Sequence, residues 1–211
     1  MRMDHSLGRF RYLVENPKRK KGKGNIGESV ITHFGGKAAI IKDQLIIIWS
    51  HKSYAYYVFD SVTNLIHFLN ETPVDDLHYS EVIFQEAPQR ARIDIDDGNI
   101  SFFNKVKNAL KMITDDPIIV CDQSTEEYLS RHIIVDHFYK TMQEAKRSIV
   151  DKVIELVGNE DNAIDLNVYH AIQNFRLVGS SKVGVNQPEK RIITRGATFE
   201  QTLIGNYKLL T

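Results

Sequence analysis

Two aspartates, Asp94 and Asp96, stand two residues apart within the apolar run that begins at Ala91. On a β-strand, residues i and i+2 project from the same face, so the two carboxylates are predicted to lie side by side. Like charges at that distance repel each other, and a bound divalent cation removes the repulsion. Because Mg²⁺ and Mn²⁺ prefer oxygen ligands, the spacing favours a site for such an ion. The alternative is a strand end whose acids face solvent.

A second motif, Ser130-Arg131-His132, precedes the apolar residues that start at Ile133. On a strand, Ser130 and His132 share one face while Arg131 points to the other. A hydroxyl and an imidazole placed together can donate hydrogen bonds to phosphate oxygens. The alternative is a histidine whose hydrogen bonds are satisfied at the start of a strand.

Residues 165–182 add a third carboxylate, Asp165, and two cations, Arg176 and Lys182. Lys182 closes a Gly-Ser-Ser-Lys turn, whose backbone N–H groups could hold phosphate oxygens. The turn lacks the spacing of a Walker A loop. Carboxylates together with cations favour chemistry on a nucleoside triphosphate, and the alternative is an ordinary hairpin with solvated charges.

The composition, 42% hydrophobic and 26% charged residues in a chain of 211, is typical of a globular protein with a substantial core. Net charge is zero, yet residues 1–24 carry eight Lys or Arg against two acids, as in a basic arm. The single cysteine, Cys121, excludes an intrachain disulfide and a cysteine-based zinc finger. No apolar segment follows Met1, and residues 44–49 are too few to cross a bilayer, so we expect an intracellular protein that is not secreted.

Hydrophobic periodicity predicts an α+β fold in which hairpin strands alternate with inserted helices. Ser61 or Asp60 can cap a helix that runs to about Asn70, and Asn99 can cap another that runs to Ile113. The helix with the strongest pattern is predicted over residues 138–157, with Gly158 as its stop.

The order of these motifs resembles the archaeo-eukaryotic primase superfamily, and within it the PrimPol and herpes–pox, or large-DNA-virus, primase branch. The likeness covers residues 81–184 and is most specific from Asp165 to Gly184. It implies an RRM-like, mainly antiparallel sheet that bears the acids and packs with an N-terminal α/β lobe. We therefore expect residues 1–211 to form one primase-polymerase catalytic domain, with an N-terminal lobe at 1–80 and a catalytic lobe at 81–211.

The resemblance also implies roles for individual residues. Asp94, Asp96 and Asp165 would be the catalytic acids and would hold two Mg²⁺ or Mn²⁺ ions, with no zinc expected. The nucleotide-binding residues it implies are Ser130, His132, Arg176, Ser180, Ser181 and Lys182. The expected activity is template-directed nucleotidyl transfer by a DNA primase or DNA-directed polymerase, at a cytoplasmic or nuclear replication site.

Three departures from the family pattern bear on this activity. Gln173 stands where relatives have a basic residue, and Tyr128 stands where they often have Lys, so triphosphate or template contacts could be weaker. No zinc module accompanies the single cysteine, which favours primer extension over de novo priming.

The expected partners are a single-stranded DNA template and NTP or dNTP, without a membrane. Whether a replicative helicase domain or subunit accompanies the chain stays open, as does the choice between NTP and dNTP. The aromatic residues Tyr12, Tyr54, Tyr56 and Tyr57 are either stacking surfaces or parts of cores and hairpins. For the basic segment, contact with the template competes with a solvated tail; its candidate nucleic-acid-binding residues are Arg11, Lys18, Arg19, Lys20, Lys21 and Lys23.

Two other function classes compete with nucleotidyl transfer. A catalytically silent single-stranded DNA-binding module of the same fold would bind DNA without incorporating nucleotides. A sugar-nucleotide transferase that uses a D-x-D motif would need no template, and the tract from Phe175 to Lys182 argues against it.

Overall fold

The structure is a computed structural model in which the described residues are 9–13, 28–96, 99–124, 128–159, 163–183, 192–194 and 196–209. The elements of this part of the chain are, in order, β1 (Arg9–Leu13), α1 (Glu28–His33), α2 (Lys37–Lys42), β2 (Ile46–Ser50), β3 (Ala55–Phe59), α3 (Val62–Glu71), β4 (Tyr79–Phe84), β5 (Gln89–Asp96), α4 (Ile100–Ile113), β6 (Ile118–Asp122), β7 (Ser130–Tyr139), α5 (Met142–Ala145), α6 (Asp151–Val157), β8 (Ile172–Arg176), β9 (Ile192–Thr194) and α7 (Phe199–Thr202). A π-helical turn, Lys146–Val150, joins α5 to α6, and short 3₁₀ turns occupy Val74–Asp76 and Leu166–Tyr169. The pairings between these strands are antiparallel, which confirms the predicted α+β class.

The chain divides into two compact units. Unit 1 draws on residues 1–84, 172–188 and 207–211, and unit 2 on residues 85–171 and 189–206. The first boundary lies close to the predicted lobe boundary at 80/81. Residues 172–188, however, belong to unit 1 and not to a continuous catalytic lobe, because β8 forms an antiparallel ladder with β4.

Unit 1 contains a five-stranded sheet in the order β1-β3-β2-β4-β8. Ser61 caps the N-terminus of helix α3, as its sequence predicts: its side chain accepts a hydrogen bond from the Asn64 N–H at 3.2 Å. Phe68 on this helix packs its ring 5.0 Å from that of Tyr57 and 5.4 Å from that of Tyr79. These contacts identify the sheet face that α3 covers.

Unit 2 contains a four-stranded sheet in the order β5-β7-β6-β9. Asn99 caps α4 by accepting a hydrogen bond from the Phe102 N–H at 2.8 Å, which confirms the predicted start of this helix. Phe103 of α4 lies under the guanidinium of Arg131, 4.2 Å from its ring centroid, so α4 covers the sheet face that bears Arg131. The buried isoleucines Ile93 and Ile95 lie on that face and form part of the core.

The helix predicted over residues 138–157 begins later, at Met142, after the N-cap Thr141. Strand β7 continues through Tyr139 because Phe138 and Tyr139 pair with Arg90 and Gln89 of β5. Pairing with a distant strand therefore overrides the helical periodicity at these two residues. Within the described residues, no helix combines the length and the apolar character that crossing a membrane requires.

Candidate active site

Asp94 and Asp96 lie on β5, and the strand alternation places both on the face opposite Ile93 and Ile95. In the β5–β7 ladder, Asp94 is paired with His132 and Asp96 with Ser130. Side chains directly opposite each other in an antiparallel pair are neighbours on one face. The structure therefore brings the acid pair and the Ser-x-His motif together in unit 2.

His132 and Asp94 are in direct contact. The distance from His132 Nε2 to Asp94 Oδ1 is 3.3 Å, and the two side chains are only 5% and 13% exposed. Water is therefore largely excluded from this pair. Arg131 points to the other face, where its Nε donates to Asp122 Oδ2 at 2.9 Å, as the alternation predicts.

Asp96 carries a buried oxygen whose hydrogen-bonding capacity is unused. Its Oδ1 accepts no hydrogen bond from any residue in the described part of the chain. A buried carboxylate oxygen without a partner is costly, and oxygen-preferring cations satisfy such an oxygen. This atom is the feature of the acid pair that fits a metal ion.

Asp165 reaches the acid pair because β5 is an edge of its sheet. The outer edge of β5 presents unpaired backbone groups, which buried chains must satisfy. The Asp165 N–H donates to the Asp94 carbonyl at 2.9 Å, and the Asp96 N–H donates to the Ala163 carbonyl at 3.2 Å. An isolated bridge between Ile95 and Ile164 completes this short pairing. The backbone of the third acid is thus adjacent to that of the first.

Arg92 and Tyr169 extend this pairing along β5. The Tyr169 hydroxyl donates to the Arg92 carbonyl and accepts from the Arg92 N–H at 3.3 Å. Arg92 is 1% exposed, and its guanidinium donates to the Val168 carbonyl at 2.5 Å and to Gln89 Oε1 at 2.9 Å. Burial raises the pKa of Tyr169 to about 12, so its hydroxyl keeps its proton at neutral pH. Together these bonds hold the 3₁₀ turn that follows Asp165 against the acid-bearing strand.

The three predicted acids do not form one cluster of carboxylates among the described residues. Asp165 Oδ1 accepts from the Asn167 N–H at 2.8 Å and caps its own 3₁₀ turn. Across the described residues, no three His, Cys, Asp or Glu side chains lie together as a metal-binding group. The buried Asp96 oxygen of the acid pair fits a divalent ion. Only the backbone of Asp165 is adjacent to Asp94, and a ligand role for its carboxylate stays a prediction.

The predicted nucleotide-binding residues of the C-terminal tract lie in unit 1. Arg176, at the end of β8, is half-buried, and Lys182 is exposed. Ser180 and Ser181 are 1% and 3% exposed. The predicted residues thus fall into one group in unit 2 and a second group in unit 1.

The polar groups of the two serines bond within unit 1. Ser180 Oγ accepts from the Tyr79 N–H at 3.2 Å, and Ser181 Oγ lies 3.2 Å from His78 Nδ1. The Ser180 and Ser181 N–H groups donate to the carbonyls of Leu177 and Leu77, at 3.1 Å and 3.0 Å. Amides that already donate to protein carbonyls are not presented to a phosphate. Phosphate binding by this turn stays a prediction, which the exposed Lys182 supports better than the serines do.

Other sequence predictions concern less informative positions. Gln173 pairs with Ile83 in the β4–β8 ladder, and Tyr128 is half-buried. Arg11 lies in β1, where only the backbone is described. The remaining basic candidates, Lys18, Arg19, Lys20, Lys21 and Lys23, lie outside the described residues.

Sequence reasoning did not select Trp49, which lies among the aromatic candidates in unit 1. Its ring is 4.6 Å from that of Tyr56 and 6.1 Å from that of Tyr54, centroid to centroid. Tyr56 and Tyr57 are buried, whereas Tyr54 is 49% exposed. Among the three candidates whose side chains are described, only Tyr54 is largely exposed. Tyr12 lies in β1, where only the backbone is described. The β2–β3 register could have identified Trp49, since it pairs Trp49 with Tyr56.

A cavity of about 780 Å³ in unit 2 lies on the sheet face opposite the acid pair. Cations such as Lys107 and Arg131 line it together with acids such as Asp116 and Asp122. It contains none of the predicted site residues, and its mixed charges favour no single class of ligand. The chemistry of the acid pair is therefore a better guide to function than this cavity is.

Comparison of the chain with protein-family models and with curated proteins found no match. The likeness to primases consequently depends on the motif residues alone.

Proposed function

We propose that this chain is the catalytic domain of a DNA primase or primase-polymerase, which transfers nucleotides to a growing strand on a single-stranded template. The observation that carries the proposal is the pairing of Asp94 and Asp96 with His132 and Ser130 on one sheet face. The buried Asp96 oxygen, which accepts no hydrogen bond from a described residue, adds to its support. Acids that hold a cation and donors that hold phosphate are the two parts that phosphoryl chemistry requires.

In this proposal Asp94 and Asp96 hold a divalent metal, and Asp165 provides a further carboxylate beside them. Mg²⁺ or Mn²⁺ would promote deprotonation of the attacking 3′-hydroxyl and neutralise charge on the departing pyrophosphate. His132 is oriented by its contact with Asp94, and with Ser130 it donates to phosphate oxygens of the incoming NTP or dNTP. Little is required of a protein base, because positioning and electrostatics provide most of the acceleration.

The finer details are proposals of the same kind. The antiparallel sheet of unit 2 serves as the RRM-like catalytic sheet, with its acids on the face opposite α4. Arg176 and Lys182 provide positive charge for a polyanionic substrate in unit 1. We further propose that the protein works at an intracellular replication site.

The test is incorporation of labelled nucleotides on single-stranded DNA, with and without a primer, in Mg²⁺ and in Mn²⁺. We expect Asp94→Asn and Asp96→Asn each to reduce incorporation by roughly 10³-fold, as for other losses of transition-state charge stabilisation. The matched control is Asp151→Asn, which should retain activity. Asp151 lies on α6 and forms an ion pair with Lys146. Wild-type incorporation by Asp94→Asn would refute the proposal.

A catalytically silent single-stranded DNA-binding module is the second candidate. The internal bonding of Ser180 and Ser181 favours it, because it removes donors that a triphosphate site was expected to use. This candidate predicts binding of single-stranded DNA without incorporation under any of the four conditions. The same assay, run beside a DNA-binding measurement, separates the two.

A further inference from the structure

A row of side chains crosses four strands of unit 1 on the sheet face opposite α3. The register aligns Tyr56 with Trp49, Trp49 with Ser80, and Ser80 with Arg176. Tyr57 and Tyr79, which contact Phe68 of α3, alternate with these residues and point to the other face. The row therefore begins with aromatic rings and ends at a guanidinium.

Two more side chains complete this surface, which we call the aromatic row. His51 joins it through a 2.8 Å hydrogen bond between its Nε2 and Ser80 Oγ. Tyr54 joins it at the β2–β3 turn, where its ring lies 6.1 Å from that of Trp49, centroid to centroid. Trp49 is half-buried and Tyr54 is 49% exposed, so both residues are partly accessible to solvent.

The backbone at Tyr54 is strained. Its φ of 50° is in the left-handed region, which a bulky residue adopts at a cost in conformational energy. Asn or Gly would occupy this turn position with less strain. Strain of this kind is concentrated at functional sites.

The charges near the aromatic row suit a polyanion that also carries rings. Burial, together with the nearby Arg176 and His78, lowers the pKa of His51, so this imidazole is uncharged at neutral pH. The positive charge of the row then comes from Arg176, and an uncharged ring next to it can stack or accept a hydrogen bond. Bases that stack on aromatic rings while phosphates meet an arginine are the pattern of single-strand recognition.

We propose that the aromatic row binds single-stranded DNA by stacking bases on Trp49 and Tyr54 with a phosphate at Arg176. The choice of single-stranded DNA rests on the proposed function. The stacking surface rests only on the register, the exposure and the strain described above.

Trp49 is the one tryptophan of the chain, so tryptophan fluorescence reports on the aromatic row and on no other site. We titrate the full chain, without metal, with a single-stranded oligothymidylate and with an abasic oligomer of equal length and charge. Stacking predicts quenching by the first oligomer and little quenching by the second. Equal quenching by both would overturn the proposal, and so would no quenching by either. Quenching by dTTP at lower concentration than by the oligomer would also overturn it, since the row would then select the free nucleotide.

Tyr54→Asn separates binding from folding, because Asn removes the ring and tolerates the left-handed backbone. Measured by anisotropy of a labelled oligothymidylate, this variant should bind roughly 5- to 150-fold more weakly, as for other losses of a stacking ring. Its unfolding midpoint should stay the same or rise. Unchanged binding by Tyr54→Asn would overturn the proposal. The control is Phe138→Leu, which changes a partly exposed aromatic residue of unit 2 and should bind the oligomer normally.

Arg176→Gln tests the phosphate contact. It should reduce the slope of log affinity against log salt concentration by about 0.7, the value for one phosphate of a single strand. An unchanged slope would overturn the assignment of a phosphate to Arg176.

The binding and activity measurements distinguish failure of the aromatic row from failure of nucleotidyl transfer. Oligomer binding through Trp49 without incorporation supports the row and refutes the proposed reaction. Incorporation by wild-type protein whose Trp49 fluorescence does not respond to the oligomer overturns the row and leaves the reaction intact.

Discussion

Two regions with similar promise in the sequence differ in the structure. The acid pair of β5 faces the Ser-x-His motif and retains a buried Asp96 oxygen that accepts no hydrogen bond from a described residue. The Gly-Ser-Ser-Lys turn at 179–182, in contrast, uses the hydroxyls and N–H groups of Ser180 and Ser181 for bonds within unit 1. Polar residues mark a ligand site only where some of their hydrogen-bonding capacity remains unused.

The difference follows from what surrounds each region. Backbone groups along the outer edge of β5 are hydrogen-bonded to other segments of unit 2. At one end the Arg90 N–H donates to the Ile204 carbonyl, and at the other the Asp96 N–H donates to the Ala163 carbonyl. The carboxylates of β5 are therefore not required for its backbone bonding. In the turn, the Ser180 hydroxyl is the acceptor for the Tyr79 N–H, and the Ser181 hydroxyl lies beside His78 Nδ1.

Among variants outside the acid pair itself, the largest expected effect is that of Tyr169→Phe. Removing the hydroxyl deletes both bonds to the Arg92 backbone and loosens the segment that holds Asp165 beside Asp94. We expect Mn²⁺ affinity to fall by roughly 10- to 100-fold, as when outer partners of metal ligands are lost. Calorimetric titration with Mn²⁺ measures it.

A structural role alone would lower the unfolding free energy of this variant by about 1 kcal/mol and leave the Mn²⁺ affinity unchanged. That outcome would show that Asp165 needs no positioning by Tyr169. Tyr207→Phe is a matched control, because its hydroxyl bonds to Glu81 in unit 1.

The second prediction contrasts Ser181→Ala with its neighbour Lys182→Ala. Ser181→Ala should lower the unfolding free energy by about 1–2 kcal/mol, since a buried partner of His78 is lost, with little change in nucleotide KM. Lys182→Ala should leave stability within about 0.5 kcal/mol and raise nucleotide KM roughly tenfold with a lower kcat. Urea unfolding and steady-state kinetics measure the two effects. A raised nucleotide KM for Ser181→Ala without a loss of stability would contradict this prediction and would support phosphate binding by Ser181.

The smallest effect concerns pH and His51. The pKa of His51 in the folded protein lies below its unfolded value of 6.5. The stability that His51 contributes is therefore complete above pH 6.5 and declines as the pH falls toward the folded pKa. His51→Gln should flatten the dependence of the unfolding free energy on pH in that window. His67→Gln, at an exposed histidine near Glu71, is the control, and an identical slope in wild type and His51→Gln would contradict the assignment.

Local patterns predicted the parts of the fold that depend on local physics. The caps Ser61 and Asn99 were identified because a side-chain oxygen satisfies a helix N–H within three residues. The shared face of Ser130 and His132 followed from strand alternation alone. Distant pairings were not predictable in this way. They include the return of β8 to unit 1, the extension of β7 through Tyr139, and the position of Asp165 beside Asp94.

Direct titration of the metal tests the central claim most sharply. Electron paramagnetic resonance counts free Mn²⁺, so it reports binding without requiring catalysis. We predict that the wild-type chain binds Mn²⁺ and that Asp96→Asn loses this binding. The variant should fold at least as stably, because it replaces a carboxylate whose buried Oδ1 accepts no hydrogen bond from a described residue. Equal Mn²⁺ binding by wild type and Asp96→Asn would contradict the account.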